Sequence, residues 1–167
     1  MTVGASRVTV RRAEPAEYAE IGRVTVAAYR AAGMIPEGSG YGDQLADAAA
    51  RAKAASLLVA TAEGRILGNV AYCEYGSAYA EISRPGEAEF RMLAVDPEAQ
   101  TGGVGEALVR AVIERARSAG VTAVVLSTPE IALPAQRLYA RLGFLRLPER
   151  DWSPVPGVNL LGYRLQL

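Results

Sequence analysis

A cluster of three glycines within residues 102–105 most constrains how this chain folds, because it separates a strand-like segment from a helical one. The apolar run Ala88–Val95 precedes the cluster and has the composition of a buried strand. Residues Val104–Ala119 follow with apolar side chains at three- and four-residue steps, which predicts an amphipathic helix. A compact apolar strand is predicted next, over Ala123–Ser127. Strand, helix and strand in this order form a βαβ unit with a right-handed crossover.

The other segments predict a mixed sheet around this unit. They are a strand at Arg7–Arg12, a helix from Glu14-Pro15 to Gly33, a loop at Met34–Gly42, an alanine-rich helix at Asp43–Ala54, a hairpin of Leu57–Thr61 and Ile66–Tyr75 turning at Glu63-Gly64, a helix at Pro134–Leu142, and strands at Phe144–Leu147 and Val158–Leu165. Hairpins give antiparallel pairs, whereas the βαβ unit gives a parallel one. We therefore predict one domain over residues 1–167, of the α/β class (α+β mixed).

The composition excludes several classes of function. Lys+Arg and Asp+Glu both number 18, so no basic surface for nucleic acid is expected. The chain has no histidine, which excludes Ser-His-Asp and Cys-His catalysis and leaves no expected metal site. Cys73 is the only cysteine, so a disulfide within the chain is impossible. Because no apolar run reaches the roughly 18 residues of a membrane span, we expect a cytoplasmic protein without membrane contact.

The glycine cluster itself predicts an anion-binding site. Glycine lets the backbone approach a ligand closely, and the first N–H groups of a helix have no partner within it. Together with the positive end of the helix dipole, these groups suit a phosphate. The alternative is a turn that only redirects the chain. A dinucleotide fingerprint fits poorly because Val124 and Val125 stand about 20 residues on, where it needs an acidic residue, and a Walker loop lacks its Gly-Lys-Ser/Thr.

Three motifs together resemble one enzyme family. Gln100–Gly105 (QTGGVG) matches the Q/R-x-x-G-x-G/A signature of the GNAT superfamily of N-acetyltransferases. Phe90–Pro97 (FRMLAVDP) is similar to the family's fourth strand with its trailing V-x-P. Ala135–Phe144 (AQRLYARLGF) is similar to its A-x-x-L-Y-x-x-x-G-F ending. The resemblance is specific over residues 88–147 and only architectural over residues 1–75.

The resemblance implies a GNAT-like fold that binds acetyl-CoA as cosubstrate. The expected sheet is mixed, mostly antiparallel and six- to seven-stranded, with about four helices. Its parallel central strands splay apart, at a bulge near Leu93-Ala94, and the pantetheine arm lies between them. The backbone of the fourth strand also supplies the N–H that stabilises the oxyanion. The implied cofactor-binding residues are Leu93, Ala94, Val95, Gln100, Thr101, Gly102, Gly103, Val104, Gly105 and Glu106.

Glu89 and Tyr139 are the candidate catalytic residues. An amine with a pKa of about 10.4 arrives mostly protonated at neutral pH, so a base must accept a proton. We predict Glu89 as this base, directly or through a water, because it lies 11 residues before Gln100, where several relatives carry a catalytic glutamate; an exposed strand carboxylate is the alternative. The resemblance implies that Tyr139 protonates the departing CoA sulfur, the alternative being a core tyrosine. Cys73 is predicted to be buried packing rather than an acyl carrier, which favours direct transfer in a ternary complex.

The resemblance places the acceptor pocket on the first two helices, their loop, and the loop between strands three and four. The residues available there are Tyr29, Met34, Glu37, Tyr41, Asp43, Tyr72, Glu74, Tyr75, Tyr79 and Glu81. Aromatic side chains with scattered carboxylates suit a small-molecule amine or a peptide N-terminus, although solvated loop residues are an equal alternative. A homodimer that pairs through the final strand is a further option.

Two alternatives to acetyl transfer stay open. Ala132 stands where many relatives carry an asparagine that contacts pantetheine. That departure, with the open question of the base, motivates a non-catalytic acyl-CoA-binding or regulatory domain. Another acyl donor, such as succinyl-CoA, would need a cation near the acyl end, for which Arg91 is the candidate.

Overall fold

The computed structural model describes residues 7–100 and 102–167, and within them it shows one sheet of eight strands. The strands are β1 (Thr9–Arg12), β2 (Ser56–Ala62), β3 (Arg65–Glu74), β4 (Glu87–Val95), β5 (Ala123–Pro129), β6 (Leu145–Arg146), β7 (Trp152–Val155) and β8 (Val158–Gln166). Their order is β1-β2-β3-β4-β5-β8-β6, and β7 also pairs with β8. Every pairing is antiparallel except that of β4 with β5. The predicted α/β class and mostly antiparallel mixed sheet are confirmed.

Five helices accompany the sheet in the described ranges. They are α1 (Tyr18–Ala31), α2 (Tyr41–Ala46), α3 (Ala48–Ala54), α4 (Val104–Ala119) and α5 (Leu133–Arg141). The single helix predicted over Asp43–Ala54 is wrong, because the backbone leaves helical geometry at Asp47, where φ is −85° and ψ is 71°. The Asp47 carboxylate instead accepts the Ala50 N–H at 3.0 Å and caps α3. None of the helices in the described ranges has the length and apolar character needed to cross a bilayer.

Strand β7 is the element that the sequence analysis missed. Pro154 lies within it and Pro156 follows it, a composition that argues for a loop. The strand nevertheless forms because it lies off the main strand order and pairs only with β8, so a missing backbone N–H costs no ladder bond on its outer side. As β8 also pairs with β5 on its other edge, the paired residues occupy most of both edges of the final strand, which argues against pairing with a second copy through it. The homodimer itself stays a prediction.

The helices form a layer on each face of the sheet. On one face, α4 and α5 pack on a large core of alternate strand residues, such as Leu58 and Ala60 of β2. On the other face, Ile21 of α1 and Ala48 of α3 pack on Leu57 and Val59. Side chains of a strand point alternately to the two faces, so β2 serves both layers. Its largely apolar sequence therefore follows from burial on both sides.

The central strands β4 and β5 pair over only three residues each. The parallel register joins Glu87 to Ala123 and ends at Glu89 and Val125, after which the strands separate. Opposite β3, the register of β4 shifts between Arg91 and Ala94, and Met92 has a φ of 55°. This shift is a β-bulge, which bends a strand and increases its twist. The expected bulge and the splay of the two parallel strands are both confirmed.

Helices α1 and α2 approach each other closely at Gly22. A Cβ on this glycine would overlap the carbonyl oxygen of Ala46, the last residue of α2. Nearby, the buried guanidinium of Arg51 donates from Nη1 to the Leu45 carbonyl at 2.7 Å and so caps the same end of α2. The position of α2 therefore depends on the absence of a side chain at Gly22 and on the buried guanidinium of Arg51.

We predict that Gly22→Ala lowers the free energy of unfolding by about 2 kcal/mol, because the added methyl must displace backbone rather than a flexible side chain. Urea denaturation measures this change. Gly42→Ala within α2 is the matched control: its Cβ would have only Ile35 Cγ2 nearby, at 4.0 Å. An equal loss of stability in the two variants would contradict the close contact.

Candidate active site

Two adjoining cavities lie where β4 and β5 separate. The larger one, which includes Trp152 and is called the outer cavity, has a volume of about 400 Å³. The smaller one, which includes Tyr139 and is called the inner cavity, has a volume of about 70 Å³. They share a common wall, formed by Tyr29, Met34, Arg91, Met92, Ser127 and Pro129. The shared residues come from α1, the loop that follows it, β4 and β5, so the cavities follow from the separation of these strands beneath α1. The two cavities are thus neighbours on the same side of the opening.

The N-terminus of α4 presents backbone donors beside this opening. The first intrahelical bond runs from the Ala107 N–H to the Gly103 carbonyl at 3.0 Å. The N–H groups of Val104, Gly105 and Glu106 precede that bond, and no side chain among the described residues caps them. Gly103 has a φ of 71°, a left-handed conformation that favours glycine. These free donors at the positive end of a 16-residue helix have the chemistry of an anion site.

The remaining predicted cofactor residues lie around the same turn. Gln100 donates from Nε2 to the Val95 carbonyl at 2.8 Å, which holds the turn against the end of β4. Leu93 lines the inner cavity, while Ala94 is buried beside Tyr29. Beyond Glu89, β5 no longer pairs with β4, so the facing edge of the Leu93–Val95 segment has no strand partner. Gly102 is exposed just before the helix, and Thr101 lies outside the described residues.

Tyr139 of α5 lies on the wall of the inner cavity. Its side chain is 4% exposed, and its ring packs edge-on against Phe90 at a centroid distance of 5.8 Å. Further ring contacts with Phe144 and Tyr163 fix its position. Burial raises the pKa of Tyr139, so the phenol stays protonated at neutral pH. No protein group within the described ranges hydrogen-bonds its hydroxyl, which leaves that group available to a ligand in the cavity.

The carboxylate of Glu89 is fully buried and lines neither cavity. Its Oε1 accepts the N–H groups of Glu81, Ile82 and Ser83 at 2.9–3.0 Å. Burial raises the pKa of Glu89, and the three hydrogen bonds from backbone N–H groups oppose that rise. The structure thus joins Glu89 to the loop between β3 and β4, and the alternative of an exposed strand carboxylate is wrong.

Cys73 lies opposite Glu89 in the register between β3 and β4. It is fully buried, and burial raises the pKa of its thiol to about 12. A thiol in this state is protonated and inaccessible, so it is a poor nucleophile. Its expected place as buried packing is confirmed.

The outer cavity matches the predicted acceptor pocket only in part. Tyr29, Met34, Tyr41 and Glu81 line it, as expected. The other predicted residues do not line it, namely Glu37, Asp43, Tyr72, Glu74, Tyr75 and Tyr79. Tyr72 instead belongs to the core beneath α4.

The hairpin of β7 and β8 forms the opposite wall of the outer cavity, which the sequence analysis did not foresee. It contributes Trp152, Val155, Val158 and Leu160. Trp152 is anchored because its Nε1 donates to Ser127 Oγ at 3.2 Å. The sequence does contain a signal for this hairpin, because the turn-forming pair Pro156-Gly157 lies between two apolar segments. Gly157 has a φ of 85° and forms the turn.

Ala132 lines the inner cavity directly before α5. Its methyl group offers no hydrogen bond at the place where an asparagine was the expected residue. A ligand in the inner cavity therefore receives less side-chain polar contact here, and the backbone of β4 must supply more of it.

Comparisons with known proteins agree with this geometry. Residues 26–144 match the model of the acetyltransferase (GNAT) family. An uncharacterized N-acetyltransferase of Schizosaccharomyces pombe is 35% identical over 112 residues, which are 66% of this chain and 63% of that protein. The chain thus spans less than two-thirds of the length of this relative.

Solved structures show the same fold. A GNAT-family acetyltransferase of Staphylococcus aureus superimposes with a TM-score of 0.76 at 14% identity, over 96% of this chain and 99% of that one. A putative acetyltransferase of Salmonella typhimurium, solved with acetyl-CoA, superimposes with a TM-score of 0.68 at 24% identity, over 97% and 95% of the two chains. At these identities the likeness concerns the fold.

We predict that Glu89→Gln loosens the loop between β3 and β4. Glutamine keeps one acceptor oxygen but carries no charge, so its hydrogen bonds to these N–H groups are weaker. Its NH2 group would also face the Glu81 N–H that Oε2 now accepts at 3.1 Å. A buried donor that loses its acceptor costs about 1–3 kcal/mol. Hydrogen exchange at the amides of residues 81–83 should therefore accelerate. Glu114→Gln, at an exposed position of α4, is the control. Unchanged exchange at residues 81–83 in Glu89→Gln would contradict this role.

Proposed function

The chain belongs to the acetyltransferase (GNAT) family, and we propose that it moves an acetyl group from acetyl-CoA to a primary amine of a small molecule or a peptide. It is an acyltransferase, and members of the family use acetyl-CoA. The observation that carries the proposal is the row of free N–H groups at α4 beside the opening between β4 and β5. The two features together suit a ligand with a diphosphate and an extended amide-bearing arm.

The residues around the opening fit acetyl-CoA. In the proposal, the backbone of Gln100, Gly102 and Gly103, with the N–H groups of Val104–Glu106, binds the diphosphate. Thr101 belongs to the same predicted set. The unpaired edge of Leu93–Val95 binds the pantetheine arm as an added strand would, and it supplies the N–H for the oxyanion. Acetyl-CoA supplies the activated acetyl group, and the residues described here orient it.

Tyr139 is proposed as the acid that protonates the departing sulfur. Its hydroxyl is free of protein partners and its ring is fixed by packing, so the proton is held at one place on the cavity wall. A thiol has a pKa of about 8.5 in water, below that of a phenol. In a buried cavity, desolvation disfavours a thiolate as it disfavours a phenolate. Transfer from Tyr139 is therefore favoured where burial raises the pKa of the departing sulfur more than that of the phenol.

Glu89 is proposed as the base that accepts the proton of the amine. Its raised pKa suits this role at neutral pH. Because its carboxylate lines neither cavity, the proton must reach it through water rather than directly. The neutral amine then attacks the carbonyl carbon of the acetyl group, the carbon–sulfur bond breaks, and Tyr139 donates its phenolic proton to the sulfur. The proton that the new amide nitrogen loses restores the phenol. The buried, protonated thiol of Cys73 supports direct transfer in a ternary complex.

A non-catalytic acyl-CoA-binding domain is the second candidate. Two observations favour it: Ala132 lacks a polar group in the inner cavity, and Glu89 is already occupied by three backbone N–H groups. Release of CoA thiol from acetyl-CoA across a panel of amines separates the two functions. Tight binding of CoA without turnover on any amine would favour the second candidate.

We predict that Gly105→Val weakens CoA binding, because a branched side chain on the first turn of α4 blocks the approach of a diphosphate to the N–H groups. The added Cβ would also meet Leu138 Cδ2 at 3.4 Å. Calorimetry with CoA measures the loss, and thermal unfolding reports on the fold. Ser118→Val, exposed at the other end of α4, controls for helix propensity. Equal CoA affinity in both variants would remove the proposed phosphate site.

We predict that Tyr139→Phe lowers kcat about 10²–10⁴-fold, because the phenol no longer protonates the sulfur. The affinity for acetyl-CoA should change little, since the ring and its packing remain. Tyr163→Phe is the matched control, as its ring lies 6.0 Å from that of Tyr139 but lines neither cavity. If Tyr139→Phe has the same kcat as the control, Tyr139 does not act as the acid and serves only as a core residue.

A further inference from the structure

The outer cavity is an apolar and aromatic space that contains two charged side chains among its described lining residues. Tyr29, Tyr41 and Trp152 contribute aromatic surface, while Glu81 and Arg91 are the charged pair. A charged group on an apolar cavity wall loses hydration, so it is costly unless it binds a partner. The chemistry of this pair therefore indicates what the cavity recognises.

Arg91 lies at the junction of the two cavities and keeps donors free. Its Nη1 donates to the Tyr79 carbonyl at 3.2 Å and lies 3.4 Å from Glu81 Oε1. Within the described part of the chain, its Nε and Nη2 have no acceptor. A guanidinium carries five N–H donors in a fixed fork that matches a carboxylate. With 16% of its side chain exposed, Arg91 can offer that fork to a ligand in either cavity.

Glu81 is a weak partner for Arg91. The contact between them is single and 3.4 Å long, whereas strong ion pairs of this type measure about 2.7–2.9 Å. Its side chain is 36% exposed, which further weakens the attraction. The backbone of Glu81 is fixed because its N–H is bound by Glu89. A carboxylate from a substrate can therefore take the free side of Arg91 without competing for a tightly held group.

We propose that Arg91 binds a carboxylate of the acceptor, so that the acceptor is an α-amino acid with an apolar or aromatic side chain. This inference rests on the proposed function. Arg91 lines both cavities, so a carboxylate bound to it places an amine one carbon away at the entrance of the inner cavity, where Tyr139 lies. The side chain of the amino acid then occupies the outer cavity, against Tyr41 and Trp152.

The cavity size agrees with such an acceptor. A volume of about 400 Å³ lies in the lower part of the range for small-molecule sites, about 300–1,000 Å³. The hairpin of β7 and β8 closes one side with Val155, Val158 and Leu160. These apolar groups favour the side chain of an amino acid over a polyamine or a sugar.

The test compares amino acids with derivatives that lack the carboxylate. L-Phenylalanine, L-leucine, L-methionine and L-tryptophan are each assayed against their amides, with acetyl-CoA as donor, and phenethylamine is added as an amine without a carbonyl group. We expect kcat/KM at least tenfold higher for the best amino acid than for its amide. The amide has the more readily deprotonated amine, so this preference cannot come from amine reactivity. Calorimetry of the same compounds on the CoA complex provides a binding readout independent of turnover.

Variants of Arg91 and of Glu81 should move this preference for the amino acid in opposite directions. Arg91→Met is expected to lose at least tenfold in kcat/KM for the amino acid and little for the amide, mainly through KM. Arg91→Lys should restore part of that loss, because it keeps the charge. Glu81→Gln is expected to lower KM for the amino acid, since it removes a negative charge that repels a carboxylate beside Arg91. A general disturbance of the fold would not produce this gain, and thermal unfolding of each variant checks the fold.

Several outcomes would overturn the inference. If amides or phenethylamine match the amino acids in both kcat/KM and affinity, Arg91 does not bind a carboxylate of the acceptor. A preference for diamines, lost in Glu81→Gln, would assign recognition to Glu81 and a second ammonium. A switch between succinyl-CoA and acetyl-CoA in Arg91→Met would assign Arg91 to the acyl donor. If no amine is acetylated but the amino acid still binds better than its amide, the proposed function fails and the carboxylate site stands.

Discussion

The separation of β4 and β5 after three paired residues is the constraint on which the site depends. Adjacent parallel strands ordinarily continue to pair, because each unpaired backbone group that is buried costs free energy. Here the bulge around Met92 bends β4 away, and β5 continues along β8 instead. The opening between them exposes a backbone edge, forms the two cavities, and lies beside the N-terminus of α4. The proposed contacts with the pantetheine arm follow from this one departure from regular pairing, whereas the proposed diphosphate contacts come from the N-terminus of α4.

Glu89 and Arg91 lie two residues apart on β4, before the bulge, and Glu81 contacts both of them. The backbone N–H of Glu81 donates to Glu89, and its carboxylate faces Arg91. A buried carboxylate thus orders the loop that carries the only acidic side chain among the described residues lining the outer cavity. On one strand, Glu89 holds the loop in addition to its proposed role as base, and Arg91 presents a charge to the outer cavity.

The sequence predicts the central βαβ unit well because its signals are local. The left-handed backbone at position 103 favours glycine, and the apolar spacing of Val104–Ala119 matches the observed helix. The burial of Glu89 was not predictable, since it depends on backbone N–H groups of a loop six to eight residues earlier in the chain. Strand β7 was missed because its prolines oppose a strand locally, and only pairing with β8 stabilises it. Local chemistry thus specified the glycine turn proposed to bind phosphate, while tertiary contacts determine the cavity proposed for the acceptor.

A crystal structure of the complex with CoA tests the central claim most directly. The account predicts diphosphate oxygens within hydrogen-bond distance of the N–H groups of Val104, Gly105 and Glu106. It also predicts the pantetheine arm along Leu93–Val95, with the sulfur in the inner cavity beside Tyr139. CoA bound elsewhere on the protein, or a structure in which β4 and β5 close over this opening, would contradict it.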